Sequence, residues 1–209
     1  RSMYEAYGMH KNTLAAAYAG NIKSDVFYSR VRKYKSSFLA ALHQDNIPSK
    51  VYNGLITSVH RHIHLLTHYL QIRQRVLSIQ KVHMYDLYVP VIDIEKEHIE
   101  FKDAVNIILE GLNPLGEEYL SIFKNGIKDG WIDIYQNEGK RGGAYSWGSY
   151  DTMPYVLLNY DHSLNDVSTF AHEMGHSIHS YYSRKNQPYI YAGYTIFCAE
   201  VASTTNEVL

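Results

Sequence analysis

At 209 residues the chain can bury a sizeable core as one or two domains. Its 20 Lys and Arg nearly balance 21 Asp and Glu, so no face is advertised to a polyanion, and nucleic acid is excluded as a first choice of partner. The single cysteine, Cys198, excludes an internal disulfide and a thiolate-rich metal site, and no apolar run approaches the roughly 18 residues needed to span a bilayer.

The first half has helical periodicity. Tyr, Ala, Leu and Met recur at helical spacing over residues 3–19, and "AGN" at 19–21 is expected to break that run. Ser24 is a plausible cap for a second helix, "SSFLAALH" continues the pattern, and "DNIPSK" at 45–50 marks a boundary. A long helix is expected from about Ser49 to Lys81, with Val51, Leu55, Val59, Ile63, Leu66, Leu70 and Leu77 as its apolar stripe. "MYDLYVPVID" (84–93) favours an extended conformation at a sheet edge because of Pro90, and "IEKEHIE" (94–100) reads as a solvated charge run.

Helices follow at about 101–110 and 115–128, separated by "GLNP". The period then changes. "WIDIYQ", "GGAYSWGSY" and "YVLLNY" read as a small antiparallel sheet between glycine and proline breaks. Asp166 or Ser168 is expected to cap a helix reaching about Ser183, and a last helix runs from about Tyr194 to the end. The reading is mainly α, with a mostly helical part over 1–130 and a chemical core over 131–209. The chain starts at Arg1 and stops at Leu209 inside a helical run, which is expected of a piece of something longer.

The chemistry gathers in "TFAHEMGHSIHSYY" (169–182). On a helix, His172 and His176 lie on one face at i and i+4, so both imidazoles can meet one ion. Glu173, one residue off that face, can reach a water there without ligating the ion, the position required of a general base in metal-assisted hydrolysis. A third protein ligand is needed. The metzincin arrangement is rejected because Tyr182 stands where its third histidine belongs, and His179 is about 10 Å from His172 along the axis, which suits a packing or histidine-orienting role. On the next helix, Glu200 lies among Ala199, Val201 and Ala202, small or apolar neighbours that leave a carboxylate in need of a cation. Glu200 is the preferred ligand and Glu207 the preferred partner of a histidine's free N–H, with the reverse assignment open.

"HEMGHSIHSYYS", "FCAEVAST" and "GKRGGAYSWG" together resemble oligoendopeptidase F, of the thimet-oligopeptidase-like zinc metallopeptidases. The resemblance implies a zincin-like, mostly helical fold around a channel, one zinc ion, and cleavage of short oligopeptides in the cytoplasm. By that likeness His172, His176 and Glu200 are the zinc ligands and Glu173 is the base. Gly143, Ala144 and Tyr145 become candidates for binding the substrate backbone by β-augmentation, although a plain glycine-turn hairpin fits the same residues. Members of the family are much longer and carry a downstream motif that stabilises the oxyanion, so this chain is expected to hold zinc and to turn over peptide poorly. The rival reading is a non-catalytic peptide-binding module with structural zinc, which would have no use for Glu173. Two features are set aside: the histidines at 60, 62, 64 and 68, read as the wet side of a helix, and Cys198, expected to be a buried thiol.

Overall fold

The computed structural model describes residues 2–92 and 98–209. Asp93 and most of the charge run at 94–100 therefore lie outside the described residues. The packing divides the chain into two units, residues 1–91 and residues 92–209. Helices at 101–111 and 117–128 belong to the second unit, whereas the sequence division at 130 had grouped them with the first half.

The first unit contains helices α1 (Ser2–Met9), α2 (Lys11–Val31), α3 (Ser37–Gln44) and α4 (Ser49–Val76). The expected break at "AGN" does not occur. Gly20 and Ser24 lie inside α2, because one helical glycine costs only about 1 kcal/mol and the flanking alanine-rich run compensates. The chain turns at His10 instead. Ser36 caps α3 through its hydroxyl, which accepts from the Leu39 N–H at 3.2 Å. Helix α4 stops at Val76, short of Lys81, because Ser78 takes a left-handed φ of 53° and the Ile79 N–H returns to the Gln74 carbonyl. Among the described residues most of its apolar stripe is left uncovered: Leu55 is 63% exposed and Val59 55%, while Leu70 and Leu77 are partly buried.

Residues Met84–Tyr88 form a 3-10 turn rather than an extended edge. The reason is a buried arginine. The Arg73 guanidinium donates to the carbonyls of Asp86 (2.7 Å) and Val89 (2.6 Å) and to the Tyr69 hydroxyl (3.1 Å). Those carbonyls therefore find their partner on α4 and not in a sheet ladder.

The second unit contains α5 (Phe101–Gly111), α6 (Glu117–Lys128), β1 (Ile132–Tyr135), β2 (Tyr145–Trp147), β3 (Tyr155–Tyr160), α7 (Leu164–Asn186) and α8 (Ile196–Val208). The sheet is mixed and not antiparallel throughout: its order is β1–β3–β2, with β1 parallel and β2 antiparallel to β3. The longest strand takes the centre because its alternate residues Val156, Leu158 and Tyr160 are the most apolar and are all buried. They pack with Ala104, Ile108 and Leu112 around α5, with Leu120 and Phe123 of α6, and with Phe170, Met174 and Ile178 of α7. Each large side chain so buried contributes about 1.5–3 kcal/mol, so α7 is pressed against the sheet by one stripe and leaves its other face to α8.

Candidate metal centre

Helix α7 starts at a capping box. The Ser163 hydroxyl accepts from the Asp166 N–H at 3.2 Å, and the Asp166 carboxylate accepts from the Ser163 N–H at 3.0 Å. Asp166 is thus the third helical residue and not the cap, and the helix begins earlier than the sequence pattern indicated. It runs on to Asn186 because Phe170, Met174 and Ile178 stay on the buried stripe.

Helix α8 returns along α7 at backbone contact. A Cβ on Gly175 would lie 2.7 Å from the Ser203 Cα and 2.8 Å from the Ala202 carbonyl oxygen, so only glycine permits this approach. The Asn206 amide donates to the Ala171 carbonyl (3.0 Å), and its oxygen accepts from the Tyr119 hydroxyl (2.8 Å), tying α8 to α7 and α6.

This approach brings Glu200 to the two histidines. His172 Nε2 and His176 Nε2 are 3.1 Å apart, and Glu200 Oε2 lies 3.6 Å from the first and 3.7 Å from the second. A tetrahedral ion with bonds of about 2.0–2.1 Å holds its ligands about 3.3–3.4 Å apart. The donor set and its spacing therefore fit a small divalent cation. His172 Nδ1 meets Glu207 Oε1 at 2.5 Å, and the Ser168 hydroxyl donates to the other Glu207 oxygen at 3.3 Å. With its Nδ1–H given to Glu207, His172 presents a lone pair on Nε2. Burial, foremost, and the neighbouring His172 hold His176 below the usual imidazole range, which favours the neutral form that ligates. The Ser203 hydroxyl donates to Glu200 Oε2 at 3.0 Å and steadies the carboxylate.

Glu173 is 7% exposed and belongs to no ligand pair. Burial pushes its carboxyl up, with Glu200 adding to the effect, while His172 and a backbone hydrogen bond from Ser146 oppose it. The helix below it is held to the sheet through serines: Ser177 donates to the Glu173 carbonyl (2.9 Å) and shares a hydrogen bond with Ser146 of β2 (2.8 Å). His179 is apart from the cluster. Its ring stacks on Tyr194 with centroids 4.0 Å apart, burial lowers its pKa, and its Nδ1 is buried without a partner among the described residues.

Strand β2 pairs only with β3, leaving its other edge without a strand among the described residues. Gly143 takes a φ of 89°, which favours glycine, and its carbonyl accepts from Asn159 at 2.7 Å. Ala144 packs on the core and Tyr145 opens the strand, half exposed. A cavity of about 580 Å³ adjoins the histidines, lined among others by Ser146, Trp147, His176, Arg184, Tyr194 and Glu200. It meets β2 just downstream of the three residues singled out from the sequence.

Ser203, Asn206, Ser177 and Ser146 were not anticipated. Only Ser203 carried a signal, at i+3 from Glu200 on one helical face. Cys198 is exposed and not buried, on the wall of a cavity that it shares with Gly175, His179 and Tyr182 of α7. The histidines of α4 form no group of three donors among the described residues.

The family model described as Peptidase family M3 matches residues 1–209. The chain belongs to peptidase family M3. It is similar to the oligopeptidase PepF of Bacillus subtilis, 49% identical over 208 residues and covering 100% of this chain and 31% of that relative. The chromosomal oligoendopeptidase F of Lactococcus lactis subsp. cremoris is 43% identical over 206 residues, or 99% of this chain and 34% of the relative. Among solved structures, the oligoendopeptidase-F of Enterococcus faecium matches with a TM-score of 0.63 at 33% identity, over 99% of this chain and 29% of that one. A Chlamydophila abortus crystal structure matches at 0.83 and 47%, over 98% of this chain and 34% of that one. The chain thus spans about a third of the length of the curated relatives it matches, and the resemblance to oligoendopeptidase F extends over all of it. Membership in this metallopeptidase family implies a bound metal ion, and the donors at His172, His176 and Glu200 are suited to one.

Proposed function

We propose that this chain carries the zinc-binding core of a cytoplasmic oligoendopeptidase: His172, His176 and Glu200 hold one zinc ion, and Glu173 is the general base that hydrolyses short oligopeptides. The observation that carries the reading is the triangle of donor atoms, 3.1–3.7 Å on its edges, with a non-ligating buried carboxylate beside it. A zinc ion bound there would polarise the scissile carbonyl and acidify the attacking water. Glu173, kept partly proton-hungry by burial, takes the proton from that water and later gives it to the leaving amine. Glu207 orients the His172 ring through Nδ1, and Ser203 orients Glu200. The free edge of β2, entered through Gly143, Ala144 and Tyr145, offers backbone groups to an extended peptide beside the cavity. His179 supports the site by packing on Tyr194 and contributes no ligand.

Residues 131–209 are the catalytic core in this reading. Residues 1–209 alone, a third of the relatives' length, are expected to bind zinc and to turn over peptide slowly.

Metal content and hydrolysis of a quenched oligopeptide, measured together, test the assignment. Glu200→Ala should lose stoichiometric zinc, whereas Glu173→Gln should keep it and lose residual hydrolysis by at least a hundredfold. Full zinc content in Glu200→Ala, or undiminished hydrolysis in Glu173→Gln, would refute it. The rival structural-zinc module is the case in which Glu173→Gln changes nothing.

A further inference from the structure

We propose that His98, Glu100 and His162 form a second binding site for a divalent transition-metal ion, of the borderline kind that imidazole and carboxylate share. One ligand atom from each lies within 4.8 Å of the other two. His98 Nε2 is 2.9 Å from Glu100 Oε1, and the second carboxylate oxygen is 3.9 Å from His162 Nδ1. The two distances run to different oxygens of the carboxylate, and His162 Nδ1 also lies 3.3 Å from the Ile99 carbonyl, so an ion would draw the donors toward the separation of about 3.3–3.4 Å that bonds of about 2.0–2.1 Å set.

The backbone under these side chains is fixed. The Ile99 N–H donates to the His162 carbonyl at 2.9 Å, and the Tyr160 hydroxyl donates to the Ile99 carbonyl at 2.9 Å. His162 holds a left-handed φ of 61°, a region in which histidine, like asparagine and aspartate, is enriched among non-glycine residues. The two imidazoles stack with centroids 4.1 Å apart and planes at 18°. Near-parallel rings do not aim both lone pairs at one point, so ligation requires one ring to turn. His98 is free to do so, its side chain being 63% exposed.

The ion would join two places in the chain. Glu100 immediately precedes α5, and His162 immediately precedes Ser163, the cap of α7. A bound ion therefore clips the start of α5 to the start of the helix that carries His172, Glu173 and His176. The inference is independent of the zinc peptidase reading and can be measured without it.

Titration with Co2+, followed by calorimetry and by visible absorption, provides the test. The His172→Ala/His176→Ala protein should bind one equivalent of Co2+. Adding His98→Ala and His162→Gly should abolish that binding, and Glu100→Gln should weaken it at least tenfold. Glycine suits the backbone at 162 and the Glu100 side chain makes no capping bond, so both changes spare the backbone; His162→Gly does give up the ring stacking and the 3.3 Å contact of Nδ1 with the Ile99 carbonyl, and circular dichroism of each variant verifies the fold. In the otherwise unaltered protein, His98→Ala/His162→Gly should lose one of two equivalents, which answers the question even if the helix variants fail to fold. Absence of Co2+ binding in folded His172→Ala/His176→Ala protein would overturn the proposal. So would an unaltered stoichiometry in His98→Ala/His162→Gly.

Discussion

Glu200 and Glu207 lie two turns apart on α8 and face the same histidine, yet they differ in what removal should do. Glu207 meets the ring at Nδ1, at 2.5 Å, and not at Nε2, with the Ser168 hydroxyl on its other oxygen, a position suited to fixing ring orientation and tautomer. Glu207→Gln should therefore weaken metal affinity by 10–100-fold without abolishing it, measured by competition with a chromophoric chelator. A loss as complete as that of Glu200→Ala would reverse the two roles. Tyrosines make a second residue-level prediction. Burial pushes Tyr160 and Tyr119 up to about 12, the former donating to the Ile99 carbonyl and the latter to Asn206. An unfolded tyrosine loses its proton near pH 10. Between pH 10 and 12 the folded chain thus binds protons that the unfolded chain has released, and stability falls as pH rises through that window. Denaturant midpoints should drop across this range in wild type and drop less in Tyr160→Phe.

At the scale of elements, the contact of α7 with α8 hangs on one atom that is missing. Gly175→Ala would drive a methyl into the Ser203 Cα, and the helices must part to admit it. The expected cost is about 1–3 kcal/mol, together with a weakened metal site, read by urea denaturation and metal titration of the same variant. Ser163→Ala should cost about 1 kcal/mol and leave metal binding nearly intact, because the cap is about 2.5 turns from His172 and farther still from His176. The sequence was legible where chemistry is local. The i, i+4 spacing of His172 and His176 with Glu173 beside them was legible in the motif, Glu200 stood out by its small and apolar sequence neighbours, and Glu207 by its place two turns on along the same face. The parallel pairing of β1 with β3 was not legible, since the strands' order depends on which one the core buries deepest. Nor was the 3-10 turn at 84–88, which Arg73 sets from a distant helix. The cap at Ser163 was missed because Asp166, itself a good cap residue, is the third member of the box.

At the scale of the whole molecule, the buried apolar core of the described residues lies in the second unit, its members running from Ala104 to Ile178. Among the described residues of the first, only Ser29 and Arg73 are buried, and its helices leave large apolar side chains in solvent. Residues 92–209 expressed alone should accordingly fold and bind metal with an affinity within about threefold of the full chain, a small difference on the scale of 1.4 kcal/mol per tenfold. Amide exchange should be slower in α7 and β3 than anywhere in residues 2–92. An unfolded 92–209 fragment would contradict this division. The backbone contact at Gly175 has one more consequence. All three donors of the centre ride on a single helical hairpin, so the gap between two backbones, and not side-chain flexibility, determines how large an ion they can grip. A cation with longer bonds, such as Ca2+ at about 2.3–2.6 Å, would have to prise the hairpin open. Size selectivity would thus be decided at position 175, by a residue that never touches the ion.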